Sequence, residues 1–429
     1  MGRNYKTITK VTDFGPFVTS IILDAGVELE GAKLNKDDFR VEIKRKKIGE
    51  DRPWPKLFGD RAPNFPMEGE MQVLDVSITD ESGNKTPNGN HITLSILADP
   101  RNTLNSIVRF NGAFNALVRM EIIVTQIRDI ICDKGVVKEG IYDADKGNRI
   151  IYGELLKEDI HDDLKCPLRY VYYTPMDIDK MKQDAKIPLI IWLHGGGEGG
   201  TDTIVSAIGN KVVNFISPQL QDIFGGMAYL LCPQCPTLWM DDGKGGILDT
   251  PDSIYVEPLE NLISDFIKQH GDIDENRIYI GGDSNGGYMT IRMILNNPDR
   301  YAAGFPVCEG FRDEWITDEY EEILRNIPMW FTAAKNDTVL PVMDYAVPTY
   351  HRLKKRSAKV ILTLFDKVVD TSGKYKNDDG TPYEYMGHWS WIPMLNNECR
   401  LDYDKKPVVK DGKEVTILEW VAACRKGNT

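Results

Sequence analysis

Residues 277–290 read RIYIGGDSNGGYMT, and the fold turns on whether Ser284 in this stretch is a turn residue or a nucleophile. RIYIGG is short and apolar on both faces, as expected of a strand covered on both sides by helices. After Ser284, Tyr288, Ile291, Ile294 and Leu295 recur at helical spacing until NNP stops them. Between strand and helix, Gly282-Asp283-Ser284-Asn285-Gly286 obeys G-x-S-x-G. In a nucleophile elbow the serine occupies a sharp strand-to-helix turn, and the two glycines leave room for close backbone approach. The helix N-terminus favours the negative charge that develops there.

On either side of this stretch the same alternation continues. IPLIIWL (187–193), MAYLL (227–231), AAGFPV (302–307), PMWFTAA (328–334) and KVILTLF (359–365) read as further buried strands. EPLENLISDFIKQHG supplies a helix that closes at Gly271. The second half is therefore expected to be a doubly wound α/β domain with a mostly parallel sheet. Before it the period changes to two. Phe39, Val41 and Ile43; Leu74, Val76 and Ile78; Ile92, Leu94 and Ile96; and Val118, Met120, Ile122 and Val124 alternate with polar residues between turn segments. That pattern predicts an all-β, immunoglobulin-like antiparallel sandwich. The division expected is residues 1–145 for the sandwich and 146–429 for the catalytic domain.

A serine hydroxyl needs a base. Two histidines follow Ser284. His351, in the basic stretch YHRLKKR, reads as a solvated helix residue. His388, in YMGHWSWIP past the last strand, reads as the base, with Gly387 allowing a sharp turn. The orienting acid is expected on a loop after a late strand, and Asp337 in WFTAAKNDTVLP fits. Glu309 in PVCEG, after the preceding strand, is the rival. The tetrahedral oxyanion also needs donors, and WLHGGGEGG follows a strand with a run of glycines. Gly196, Gly197 and the amide of Asn285 are the expected donors, and His194 is expected to brace the loop. The same glycines could cradle phosphate, but the segment lacks the Lys-Ser/Thr ending of a nucleotide loop and carries Glu198.

With these residues placed, the chain resembles the α/β-hydrolase superfamily. More narrowly it resembles esterases related to polyhydroxybutyrate depolymerases and predicted peptidases that carry an immunoglobulin-like domain in front. PLIIWLHGGGEGG, LLCPQCPTLW, RIYIGGDSNGGYMT, IPMWFTAAKNDTVLP and GHWSW carry the resemblance in the expected order. It implies a Ser284-Asp337-His388 triad and hydrolysis of carboxylic esters, short-acyl or carbohydrate-linked, with no cofactor and no metal. Two rival readings are a serine peptidase of the prolyl-oligopeptidase kind and a surface-binding protein whose hydrolase half is inert. Trp239 and Trp389 are candidates for lining the substrate pocket. Long polar loops at 366–387 and 240–253 are expected to shape that pocket.

The remaining composition narrows the partners. The 429 residues carry a formal net charge of −13, which argues against a nucleic-acid partner. KRKK at 44–47 reads as a solvated face. Cys232-Pro-Gln-Cys235 has redox or half-zinc spacing, but no second pair completes a metal set. Seven cysteines are too sparse for a disulfide framework. The start, MGRNYKTITK, shows neither a secretory signal nor a membrane span, and the compartment stays open between cell exterior and cytoplasm. An exposed sandwich edge would be the surface for pairing with a second copy.

Overall fold

The computed structural model describes residues 2–48, 66–163, 165–176, 178, 185–246, 248–356 and 358–427. The chain divides into two compact units. One comprises residues 1–154 with 208–210, and the other residues 155–207 with 211–429.

The first unit is all-β among the described residues, apart from single 3₁₀ turns. Its main sheet runs in the order Glu68–Met71, Phe39–Lys47, Asn115–Gln126, Gly140–Ile150, Arg3–Thr12, Gly15–Asp24, His91–Ile96, Val73–Thr79. All of these neighbours are antiparallel except Arg3–Thr12 and Gly140–Ile150, which run parallel. Alternation sets the inward face: along Phe39–Lys47, Phe39, Val41, Ile43 and Arg45 are buried and the residues between them exposed. The expected period fails along Val73–Thr79, where Leu74 is exposed and Val76 and Ile78 are only partly covered. That strand lies at the end of the sheet order, so among the described residues one flank has no neighbouring strand to shelter it. The strand Gly140–Ile150 carries the first unit past the expected boundary at residue 145, because its whole length pairs with Arg3–Thr12 or Asn115–Gln126.

Among the described residues the main sheet of the second unit has eight strands, numbered from its own first strand: β1 Lys157–His161, β2 Leu168–Tyr173, β3 Ile187–Leu193, β4 Tyr229–Gln234, β5 Ile273–Asp283, β6 Ala303–Val307, β7 Met329–Ala334 and β8 Val360–Phe365. Their spatial order is β1-β2-β4-β3-β5-β6-β7-β8. From β4 to β8 every neighbouring pair is parallel, and only β1 and β2 run against their neighbours. All seven residues of β3 and all six of β7 are buried. The apolar runs that follow no alternation are thus the strands covered on both faces. The principal helices are α1 Val256–Gln269, α2 Asn285–Asn296, α3 Asp318–Leu324 and α4 Ala346–Lys355. Leu259, Leu262, Ile263 and Phe266 of α1 share a core with Ile278 and Ile280 of β5 and with Met289 and Met293 of α2.

This arrangement has a direct consequence for chemistry. Parallel strands deliver their carboxyl ends to one edge of the sheet, and the loops after β3, β5, β6 and β7 therefore open on that edge. Those loops hold Gly196, Ser284, Glu309 and Asp337.

Candidate active site

Ser284 lies between β5 and α2 with φ 55° and ψ −113°, a left-handed conformation that an L residue occupies only when its surroundings compel it. Three contacts compel it. The Ser284 amide donates to the Val307 carbonyl at 2.9 Å, and the Ser284 carbonyl accepts from the Tyr288 amide at 3.0 Å. Gly286 is pressed so closely on the end of β3 that a Cβ there would stand 1.9 Å from the Leu193 carbonyl oxygen. The elbow leaves Ser284 partly exposed, while Asp283 and Asn285 on either side are buried.

His388 sits in the 3₁₀ turn Gly387–Trp389. The backbone before it packs on the loop after β7, where a Cβ on Gly387 would lie 2.4 Å from the Asn336 carbonyl oxygen. The Ser284 hydroxyl lies 2.9 Å from His388 Nε2, and His388 Nδ1 lies 2.8 Å from Asp337 Oδ2. The two ring nitrogens thus have distinct tasks: Nδ1–H donates to the carboxylate, which leaves Nε2 free to accept. The other oxygen of Asp337 accepts from the Val339 and Leu340 amides at 2.8 and 2.9 Å, which fixes the carboxylate. Asp337 and His388 are both buried, at 5% and 6% exposure. Three residues separated by up to 104 positions therefore form one hydrogen-bonded chain that can draw a proton from an alcohol.

Glu309 takes no part in this chain. Its Oε2 accepts from the Phe311 amide at 2.6 Å, and Oε1 is buried with no hydrogen-bond partner among the described residues. Burial pushes its carboxyl up from the ordinary 4.5 to about 8, the Phe311 amide opposing the rise and Asp313 adding to it. At neutral pH Glu309 is a neutral acid, packed by its Cβ against Gly287 of α2. His351 is exposed on α4, where its ring meets Tyr350 and Tyr403.

The loop after β3 forms one 3₁₀ turn, Gly196–Glu198. Gly196 and Gly197 open that turn and Asn285 opens α2, positions whose amide hydrogens have no acceptor within their own element. The two groups are neighbours: a Cβ on Gly196 would lie 4.0 Å from the Asn285 Cβ. His194 holds the loop's base. Its Nδ1–H donates to the Gly195 carbonyl at 2.6 Å, and Nε2 accepts from the Cys235 amide at 3.2 Å. Desolvation lowers its pKa to about 4, so the ring stays neutral and can do both.

Trp239 must be reassigned. It is fully buried, and its side chain belongs to the core of the second unit rather than to a substrate-facing wall. Its indole N–H donates to the His194 carbonyl at 3.1 Å, and its backbone amide donates to Asn285 Oδ1 at 2.6 Å. Trp239 thereby ties the glycine loop to the elbow helix, a bracing role that no spacing in the sequence announced. Trp389, partly exposed beside His388, packs its ring against Tyr385 and Trp391. Among the described residues no group of His, Cys, Asp and Glu is arranged to hold a metal ion. Cys232 and Cys235 are free and buried, and burial pushes both thiols up.

Comparison with known proteins bears on the fold and the class of enzyme. The family described as "Esterase Ig-like N-terminal domain" matches residues 4–139, and the prolyl oligopeptidase family matches residues 260–364. A crystal structure of a thermostable esterase aligns over 92% of this chain and 96% of its own, with a TM-score of 0.71 and 25% identity. Cutinase 2 of Thermobifida cellulosilytica is 27% identical over 184 residues, 41% of this chain and 65% of that protein. Cutinase cut1 of Thermobifida fusca is 27% identical over 184 residues, covering 53% of its length. The chain thus spans less than two-thirds of these curated relatives.

Proposed function

We propose that this chain, an α/β hydrolase behind an immunoglobulin-like domain, is a serine carboxylesterase that acts through Ser284, His388 and Asp337. The observation that carries the reading is the hydrogen-bonded chain from the Ser284 hydroxyl through His388 to Asp337. His388 Nε2 takes the hydroxyl proton as Ser284 Oγ attacks the ester carbonyl. The imidazolium is stabilised by the Asp337 carboxylate, itself fixed by two backbone amides. Gly196, Gly197 and Asn285 present amide hydrogens to the oxyanion. The alcohol then departs with the proton from Nε2, and water repeats the sequence on the acyl-enzyme. The substrates are short-acyl carboxylic esters.

Ser284→Ala is expected to lower turnover of p-nitrophenyl butyrate by at least about 10⁴-fold, because the nucleophile itself is lost. Circular dichroism of the variant should match that of the parent. Retained turnover in the variant would remove Ser284 from the mechanism.

The prolyl oligopeptidase match over residues 260–364 favours one second reading, hydrolysis of peptide amides by the same residues. The esterase-type domain matched at residues 4–139 favours the ester. Aminoacyl anilides assayed beside the ester distinguish the two. Absence of both activities, together with no labelling by a fluorophosphonate, would instead indicate an inert hydrolase half.

A further inference from the structure

In ester hydrolysis through Ser284, the path of one atom is fixed by chemistry. When the tetrahedral intermediate collapses, the bond between carbonyl carbon and alkoxy oxygen breaks. The electron pair leaves on that oxygen, and the proton on His388 Nε2 follows it, while the Ser284 Oγ bond to carbon remains. The departing alcohol must therefore lie on the imidazole's side of the site.

The two segments that carry this imidazole and hold its acid pack together, since a Cβ on Gly387 would stand 2.4 Å from the Asn336 carbonyl oxygen, and both expose apolar side chains. Met386, two residues before the base, is 45% exposed, and Trp389, immediately after it, is partly exposed. Val339, on the loop whose amides hold Asp337, is 44% exposed. Leu340 beside it is partly buried, and its Cδ1 and the Ser284 carbonyl oxygen both lie near Gly310, 3.4 and 3.7 Å from where a Cβ on that glycine would stand. Single apolar side chains in water are ordinary, but several on two touching segments beside a base are the mark of a surface that receives something. The glycine loop at Gly196 and Gly197 offers backbone amides and no comparable apolar side chains.

Taking the chain as an esterase, we infer that Val339, Leu340, Met386 and Trp389 form the alcohol subsite, and that its preferred occupant is an apolar alkyl or aryl alcohol rather than a sugar. Medium-length chains gain contact along this wall, whereas a sugar hydroxyl array would be stripped of water against it with no partners in return. Lengthening the acid portion of the ester brings no such gain, because that portion leaves the carbonyl carbon in another direction.

The test uses the full chain and two ester series followed by pH-stat titration: ethyl, butyl and hexyl acetate, and ethyl acetate, butyrate and hexanoate. For the parent, kcat/KM should rise roughly 10-fold along the alcohol series. Val339→Ser combined with Met386→Ser should abolish that rise and leave the trend along the acid series as it was. Both side chains are exposed, and the Val339 amide that serves Asp337 is retained in serine, so folding is not at stake. Met386→Leu should preserve the rise. A flat alcohol series in the parent, or a double variant that alters the acid series instead, overturns the inference while leaving the esterase reading intact. Failure of the parent on every ester, with no fluorophosphonate labelling, overturns both.

Discussion

Glu309 and Asp337 occupy equivalent places after neighbouring strands, yet their surroundings differ. Asp337 is met by two amides and an imidazole. Glu309 has one amide for two oxygens and a buried remainder. In the unfolded chain its carboxyl ionises near the ordinary 4.5, whereas the folded protein holds the proton to about 8. Between those values the folded state binds more protons, so this residue's contribution to stability is full below about 4.5 and declines as pH rises toward 8. Glu309→Gln keeps the acceptor for Phe311 and cannot ionise. The expected outcome is a gain in stability at pH 8 over the parent, of the order of a few kcal/mol, that vanishes at pH 4. Denaturant melts at the two pH values read it directly. The sequence named both carboxylates and preferred Asp337 for its loop after a late strand, but the amides of residues 311, 339 and 340 that make them physically different were not visible in it. Trp239 was opaque for a related reason: its role depends on a carbonyl 45 positions away.

Among strands and helices, the strands that were easiest to read are those covered on both faces. IPLIIWL is β3 to the residue, and PMWFTAA and KVILTLF fall on β7 and β8 within one residue at each end. β1 and β2 are hard to see in the sequence because KEDIH and LRYVYY are short, interleave polar residues and lie at the antiparallel edge. The elbow was legible since strand, glycines and helix all follow one another in fifteen or so residues, whereas His388 was read only from its place past the last strand and the glycine before it. That turn depends on Gly387. Gly387→Ala would drive a methyl into the Asn336 backbone and displace the imidazole from the serine without touching either. A shift of about 1 Å at the reacting atoms is worth roughly 10²-fold in rate. We expect kcat for p-nitrophenyl butyrate to fall by about that factor, with a far-UV spectrum like the parent's; unchanged kcat would show that the turn tolerates the side chain.

For the protein in its entirety, the change of period from two to buried apolar runs announced two different kinds of unit, and the structure has one of each. Their border was harder to see. Gly140–Ile150 is largely exposed and weakly patterned, so nothing local says that it belongs to the first sheet; its pairing with Arg3–Thr12 and Asn115–Gln126 does. The parallel direction of that pairing was equally invisible, since alternation along one strand carries no information about the sense of its neighbour. Composition locates no partner, because the charge of −13 bears on the entire surface at once.

The seven cysteines run through both units and none is bridged. Six are buried and Cys166 is half-covered, and desolvation raises the thiols of Cys166, Cys232, Cys235, Cys308, Cys399 and Cys424. Alkylation needs a thiolate that the reagent can reach. Iodoacetamide should therefore leave ester hydrolysis intact, dithiothreitol should neither help nor harm it, and the six buried groups should react only once guanidinium has opened the chain. An enzyme organised in this way can work unchanged on either side of a redox boundary.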